Sequence, residues 1–380
     1  MKYFPFLALI LLVVSCATVK KEDVQMPYTK ADFEKVVNDK QTTLFILKND
    51  NGMIVTLTNY GAKIVSVYVP GKDGKMEDVV LGYKSIDEYV NGDAGQGAVV
   101  GPYANRIAGA SFEIDSVTYP LEVNNHQACL HSGTQSFYRQ VWHAKEIVTD
   151  KGPAVEMFLE SPDGASGFPG NKEVKVTYTL TAANELILDY EATTDKSCYF
   201  NLTNHVYFNL KGEGTGDILD HILVIDADSS TAVANNELIP TGEIVSIKGT
   251  DMDFTTPYKI GERIDSEMEQ LKFGSGYDHN YILNKDQNAG ELTFCASAYE
   301  ETSGRYMEVF TTEPAVQFYT GNFLKGNIIG KRGNKYEYRN GFCLETQHYP
   351  DSPHHPNFPN TLIQPGEVLT SQTIYKFSVK

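Results

Sequence analysis

From about Thr42 onward apolar and polar residues alternate, the period that sends successive side chains to opposite faces of a strand. The stretch "TLFILKNDNGMIVTLTNYGAKIVSVYVP" reads as strands on either side of an Asn-Gly turn, with a second break at "NYG". "EVKVTYTLTAANELILDYEA" is clearer. Val174, Val176, Tyr178 and Leu180 share one face before the turn, and Leu186, Leu188 and Tyr190 share one after it, so an antiparallel hairpin is expected. Helical period surfaces only in "ADFEKVVNDK" and in "KIGERIDSEMEQLK", where Ile260, Ile264, Met268 and Leu271 form one stripe suited to packing. No long linker, block of charge or fixed-period repeat divides the chain. The pattern predicts an all-β chain, one large antiparallel β-sandwich domain over residues 39–380 with a few short helices.

The sequence before that domain has a different character. Lys2 precedes "FPFLALILLVV", an apolar run too short to span a bilayer and proportioned like the apolar centre of a signal peptide. It ends at "VVSC", where the small Ser15 precedes Cys16, as in a bacterial lipoprotein signal. The expectation is a signal peptide over residues 1–15, a lipidated Cys16 as mature N-terminus, and a polar tether over residues 16–38. That places the protein in the bacterial cell envelope, exported and lipid-anchored, with the lipid as its only link to a membrane. The other cysteines, Cys129, Cys198, Cys295 and Cys343, sit in or beside apolar runs, where a small buried thiol is common.

Composition adds exclusions. Of 380 residues, 41% are apolar and 21% charged, ample for a core. A formal net charge of -17 argues against nucleic-acid or anionic-membrane partners, which select for basic patches; a neutral small molecule is indifferent to it. The 23 Tyr and 19 Phe against one Trp suit strand-rich packing, and most are assigned to the core.

Candidate chemistry lies where polar residues interrupt apolar strands. "GFCLE" delivers Glu345 to the edge of a proline-rich polar loop, and a carboxylate beside Phe342, Cys343 and Leu344 needs a partner, a shifted pKa or a cleft. "GPYANRI" places Asn105 and Arg106 after a glycine-rich run, a fork of donors for hydroxyl groups rather than a phosphate loop, since no helix follows. His131 and His205 follow apolar residues and precede small or turn-prone ones, as strand ends at a cleft do. "GYDHN" adds Asp278, and "EPAVQFYTGNF" adds Gln317 on an apolar strand. The group His348, Asp351, His354 and His355 has metal-ligand residue types, but adjacent histidines tend to point apart and the prolines indicate a loop, so no metal is expected there. No G-x-S-x-G, H-E-x-x-H or C-x-x-C supports serine hydrolase, zincin or thiol redox chemistry.

The elements "NRI", "LHSG", "TNHVYFNL", "GYDHNYIL", "VQFYTGNFL" and "CLETQHYPDSP", in that order, resemble the aldose 1-epimerase (galactose mutarotase) family from about residue 40 to the C-terminus. The resemblance implies a galactose mutarotase-like supersandwich, an aldose substrate, and no metal or organic cofactor; a monomer is expected. It places the general base on Glu345, the general acid on His205, and the sugar contacts on Asn105, Arg106, His131, Asp278 and Gln317. Two departures bear on sugar preference. The usual "LHGG" reads "LHSG", so Ser132 replaces a glycine, and the loop after "PDSP" carries His354 and His355.

The implied chemistry is coherent from the residues upward. Interconverting α and β anomers of free hexoses such as galactose and glucose requires a base at O1 and an acid at the ring oxygen O5. A Glu of ordinary pKa near 4.3 and a His near 6.5 supply them at neutral pH. Two rivals share the features. A glycosidase would use Glu345 with Asp278 as its carboxylate pair. A non-catalytic lipid-anchored carbohydrate-binding protein would keep the hydrogen-bonding groups but has no need of both Glu345 and His205.

Overall fold

A computed structural model describes residues 24–92, 95–286 and 290–380. The expected signal peptide and Cys16 lie outside these described residues. Three antiparallel sheets dominate: one of nine strands, one of five and one of four, with short two-stranded ladders between them. The hairpin expected from period two is present, with Lys172–Leu180 paired to Glu185–Thr194 so that Val176 opposes Tyr190 and Tyr178 opposes Leu188. The Asn-Gly turn likewise joins Leu44–Lys48 to Ile54–Thr58, with Gly52 at φ 92, a value that favours glycine.

One apolar cluster draws on all three sheets, including Val176 and Leu188 of the nine-stranded sheet, Val55 and Val67 of the four-stranded sheet, and Tyr281, Phe318 and Leu344 of the five-stranded sheet. This is the sandwich interior. The arrangement matches the expected all-β class. Among the described residues the α-helices are two single short segments, Ile86–Asn91 and Glu269–Gly274.

Both segments read as helical behave differently. "ADFEKVVNDK" gives a 3₁₀ turn at Lys30–Phe33, then a tiny hairpin of Val36–Val37 with Lys40–Gln41. Asn38 and Asp39 sit at φ 49 and φ 60, the left-handed pair that a tight hairpin turn demands and that Asn and Asp tolerate. In "KIGERIDSEMEQLK" the helix breaks around Asp265, which Arg339 holds with two nitrogens at 3.1 and 2.7 Å. Ile260, Ile264 and Leu271 are nevertheless buried in the core with Met268 packed against it, so the stripe is packing as expected. The segment expected to be tether also docks earlier than residue 39. Phe33 is buried, and the buried Tyr28 hydroxyl bonds Thr56 Oγ1 at 2.8 Å and Ser66 Oγ at 2.6 Å.

Candidate active site

The site grows from alternation along three neighbouring strands of the five-stranded sheet, Asp278–Leu283, Ala315–Tyr319 and Cys343–Gln347. Their register aligns Asp278, Tyr319 and Cys343 in one row and Asn280, Gln317 and Glu345 in the next. Because strand side chains alternate, both rows project from the same face. The intervening residues Tyr281, Val316, Phe318 and Leu344 enter the sandwich core. The apolar run "FCLE" therefore serves two purposes at once: Leu344 anchors the strand and Glu345 is carried into the site.

His205 arrives from a different strand, Thr203–His205, which pairs with Ala98–Val100. Thr203 Oγ1 donates to Thr346 O at 2.9 Å and ties this strand to the one carrying Glu345. The result brings His205 Nε2 to 3.6 Å from Glu345 Oε1, with both side chains buried. His131 closes the third side, its ring centroid 5.3 Å from that of His205. Asn105 and His131 are fastened to each other: His131 N donates to Asn105 O at 2.9 Å, and Asn105 N donates to His131 Nδ1 at 3.1 Å. Both residues have positive φ, 63 and 53, a strained loop conformation held by those reciprocal bonds.

Arg106 reaches Asp278 with Nη2 3.8 Å from Oδ2, and Gln317 Nε2 donates to Asp278 Oδ1 at 2.7 Å. All seven residues singled out from the sequence thus line one cavity of about 570 Å³, a volume within the usual range for small-molecule sites. Glu345 and Arg106 are both buried, 2% and 7% exposed. What sequence reasoning missed is the aromatic surround. Tyr207 stacks on His205 at 4.9 Å, and Tyr319 lies edge-on at 6.2 Å. Both were assigned with the core tyrosines; the available signal was period two, because Tyr207 follows His205 by two residues and Tyr319 follows Gln317 by two.

Electrostatics separate the roles open to these groups. Burial pushes the Glu345 carboxyl well above the ordinary range; nearby Asp278 adds to the rise, and Arg106 opposes it. Such a carboxyl is a stronger base once ionised. Burial holds His131 well below the usual imidazole value, with His205 and Arg106 acting in the same direction, so His131 is a neutral ring. Its Nδ1 accepts a backbone N–H, leaving the hydrogen on Nε2, a donor suited to a hydroxyl.

Ligand-type atoms of His131, His205 and Glu345 lie within 4.8 Å of one another. A metal would need a lone pair on His131 Nε2, where this tautomer carries a hydrogen, so the trio fits proton exchange better than coordination. The histidine-rich loop departs from the expected geometry. His354 and His355 do not point apart: His354 Nδ1 lies 2.6 Å from Asp351 Oδ1 and His355 Nε2 lies 3.3 Å from Asp351 Oδ2, while His348 Nδ1 pairs with Glu313 at 2.7 Å. Asp351 in turn accepts from Ala108 N at 2.9 Å and donates its own N–H to Arg106 O at 2.9 Å. The loop is a buckle that fixes the backbone around Arg106. Ser132 also faces away from the cavity, accepting from Tyr103 N at 2.8 Å and donating to Tyr103 O at 3.0 Å.

Residues 43–376 match the family profile described as aldose 1-epimerase. The chain belongs to the aldose 1-epimerase family. It is 42% identical over 335 residues to bovine galactose mutarotase, covering 88% of this chain and 94% of that protein. Identity to the aldose 1-epimerase of Escherichia coli K12 is 37% over 337 residues, covering 88% and 94%. Among solved structures, an aldose epimerase homologue from C. elegans superposes with a TM-score of 0.81 at 28% identity, covering 89% of this chain and 99% of that one. A galactose 1-epimerase from Lactobacillus acidophilus gives 0.80 at 26% identity, covering 91% and 97%. The family's sandwich is thus this chain's fold, and the sequence elements quoted above all fall inside the matched segment.

Proposed function

We propose that this protein is an aldose 1-epimerase that interconverts the α and β anomers of free hexoses such as galactose and glucose. The observation that carries the reading is the buried pair at one wall of the cavity, Glu345 Oε1 3.6 Å from His205 Nε2. Glu345 takes the proton from O1 while protonated His205 gives one to O5, and the pyranose opens. The aldehyde turns about the C1–C2 bond and the ring recloses on its other face, with both protons returned to the groups they came from. No net proton is consumed, so the pair is ready for the next turnover. Each positioned transfer is worth roughly 10²- to 10⁴-fold.

In this reading Asn105, Arg106, His131, Asp278 and Gln317 hold the ring hydroxyls so that the anomeric centre meets both groups. The neutral His131 and the cationic Arg106 donate; Asp278, steadied by Gln317, accepts. The chemistry is carried by side chains alone, with no metal or organic cofactor. The "VVSC" terminus supports export and lipidation at Cys16 as an anchor in the cell envelope, and the protein is proposed to act as a monomer. Following the optical rotation of freshly dissolved α-glucose, α-galactose and α-xylose tests the activity: equilibration accelerated in proportion to protein supports it. Binding of galactose with an unchanged rate would overturn it and leave a carbohydrate-binding protein. Release of a new reducing end from a glycoside would instead indicate the Glu345–Asp278 glycosidase pair.

A further inference from the structure

The strand that carries Glu345 grips both nitrogens of the histidine ring. Cys343 and Glu345 are two residues apart on Cys343–Gln347 and project from the same face. Glu345 Oε1 lies 3.6 Å from His205 Nε2, and Cys343 Sγ lies 3.5 Å from His205 Nδ1. The thiol is fully buried, and its row partner across the sheet is Tyr319. Resting on the reading of His205 as general acid, we propose that Cys343 is a positioning residue of that acid: its sulfur accepts the Nδ1–H of His205, so that only Nε2 exchanges a proton with the sugar.

The proton count follows from this. Protonated His205 carries hydrogen on both nitrogens. On ring opening the Nε2 proton passes to O5, and the neutral ring keeps its hydrogen on Nδ1, against sulfur. On reclosure Nε2 presents its lone pair and takes the O5 proton back. A neutral ring with its hydrogen on Nε2 would be the wrong tautomer to recover that proton. Sulfur is also a weak acceptor and, here, an uncharged one, because burial drives the thiol well above its usual pKa. It therefore orients the ring without stabilising the imidazolium as a carboxylate would, and the acid stays ready to give up its proton.

Other described groups meet His205 differently. His131 and Tyr319 meet its ring edge-on and Tyr207 stacks on its face. The paired strand Ala98–Val100 brings only apolar side chains. Asp278 and Arg106 form their own ion pair within the cavity.

Two measurements test the proposal. In the wild-type protein, ¹⁵N NMR of His205 above its titration should show a protonated Nδ1 and an unprotonated Nε2; hydrogen on Nε2 would overturn the proposal whether or not the protein turns over sugar. For Cys343→Ala the expected result is kcat lower by about 10-fold with KM changed little, as for removal of a group behind a catalytic residue. The basic limb of its pH profile should move only slightly to lower pH, since the imidazolium loses a weak, uncharged acceptor. Cys343→Ser, which keeps an acceptor on a shorter bond, should fall between Ala and wild type. A lower melting temperature in both variants with wild-type kcat and pH profile would mean that the thiol only fills space, and would sink the idea. If His205→Asn also retained full rate, the fault would lie in the assignment of the acid rather than in Cys343.

Discussion

Two buried ionic clusters in this fold are built to opposite standards. In the first, the Lys331 ammonium, fully buried, lies 2.6 Å from Asp78 Oδ2 and donates to Val65 O at 2.6 Å, Val80 O at 2.8 Å and Ser66 Oγ at 2.9 Å. Asp78 Oδ1 accepts the N–H groups of Val67 and Val80 at 3.1 and 3.2 Å. The ammonium and both Asp78 oxygens all have partners, as a buried charge requires. In the second, Arg106 and Asp278 meet across a longer gap of 3.8 Å beside Glu345, and Glu345 Oε2, Gln317 Oε1 and Arg106 Nε are buried without a hydrogen-bond partner among the described residues. The difference marks which cluster holds the fold and which is left unsaturated toward a ligand rich in hydroxyl groups. In the proposed mechanism, stability is given up in the second so that chemistry can occur there.

The comparison breaks most severely at Lys331. Lys331→Met strands Asp78 in the core, and about 3–5 kcal/mol of folding stability should be lost, read by urea titration, while kcat per folded molecule stays near wild type. A stable variant would mean that the first cluster is as loosely built as the second.

At Glu345 the expected signs reverse. Glu345→Gln should lower kcat by about 10² or more, yet it removes an uncompensated buried acid and should raise the melting temperature at neutral pH. The pH dependence fixes the sign. The folded state binds the Glu345 proton more tightly than the unfolded chain does, so wild-type stability falls as pH rises from about 4.5 toward the raised folded value. The gain of the Gln variant should therefore grow over that window and vanish below it. The acid limb of the wild-type rate profile should likewise lie above 4.5. A Gln variant with near wild-type exchange would remove Glu345 from the mechanism.

The buckle on Asp351 gives a smaller effect. Its carboxylate holds the His354 pKa above the usual imidazole value, mainly through their hydrogen bond. The raised group stabilises the fold fully below the unfolded value of 6.5, and the contribution is lost as pH rises through the folded one. Because the ring is partly solvated, His354→Ala should cost under about 1 kcal/mol at pH 6 and less at pH 8, by thermal melts at both. An equal cost at both would assign the contact to packing.

Smallest is Ser132→Gly. The position has φ 62, which glycine adopts without strain, but the substitution forfeits two bonds to the Tyr103 backbone. A net loss of about 0.5 kcal/mol is expected, the lost bonds being partly offset by relief of backbone strain, with the ratio of rates on galactose and glucose unchanged. A shifted ratio would show that the hydroxyl reaches the sugar after all.

The parts of this molecule legible in its sequence are those where a local pattern and a global constraint agree. Alternation gave the hairpin of Val176 and Tyr190, and the polar interruptions at Asn105, His205, Gln317 and Glu345 pointed to a cleft because a strand interior has no other use for them. Alternation does not say which strands become neighbours, so the register that sets Cys343 beside His205 was out of reach. Helical spacing misled where tertiary bonds outweighed propensity, at Asn38–Asp39 and around Asp265. The docking of Tyr28 was hidden because single aromatic anchors in a polar stretch have no period to detect.

One strand, Cys343–Gln347, presents Leu344 to the core and Glu345 to the cavity. A one-residue slip in its pairing with Ala315–Tyr319 would exchange those faces, driving a carboxylate into the sandwich and a leucine into the site. No half-correct register retains a working site, so partially misassembled molecules contribute nothing to turnover. After refolding from denaturant, the fraction of activity recovered would then count correctly threaded chains directly, whereas circular dichroism would also score those with the right sheet content and the wrong alignment.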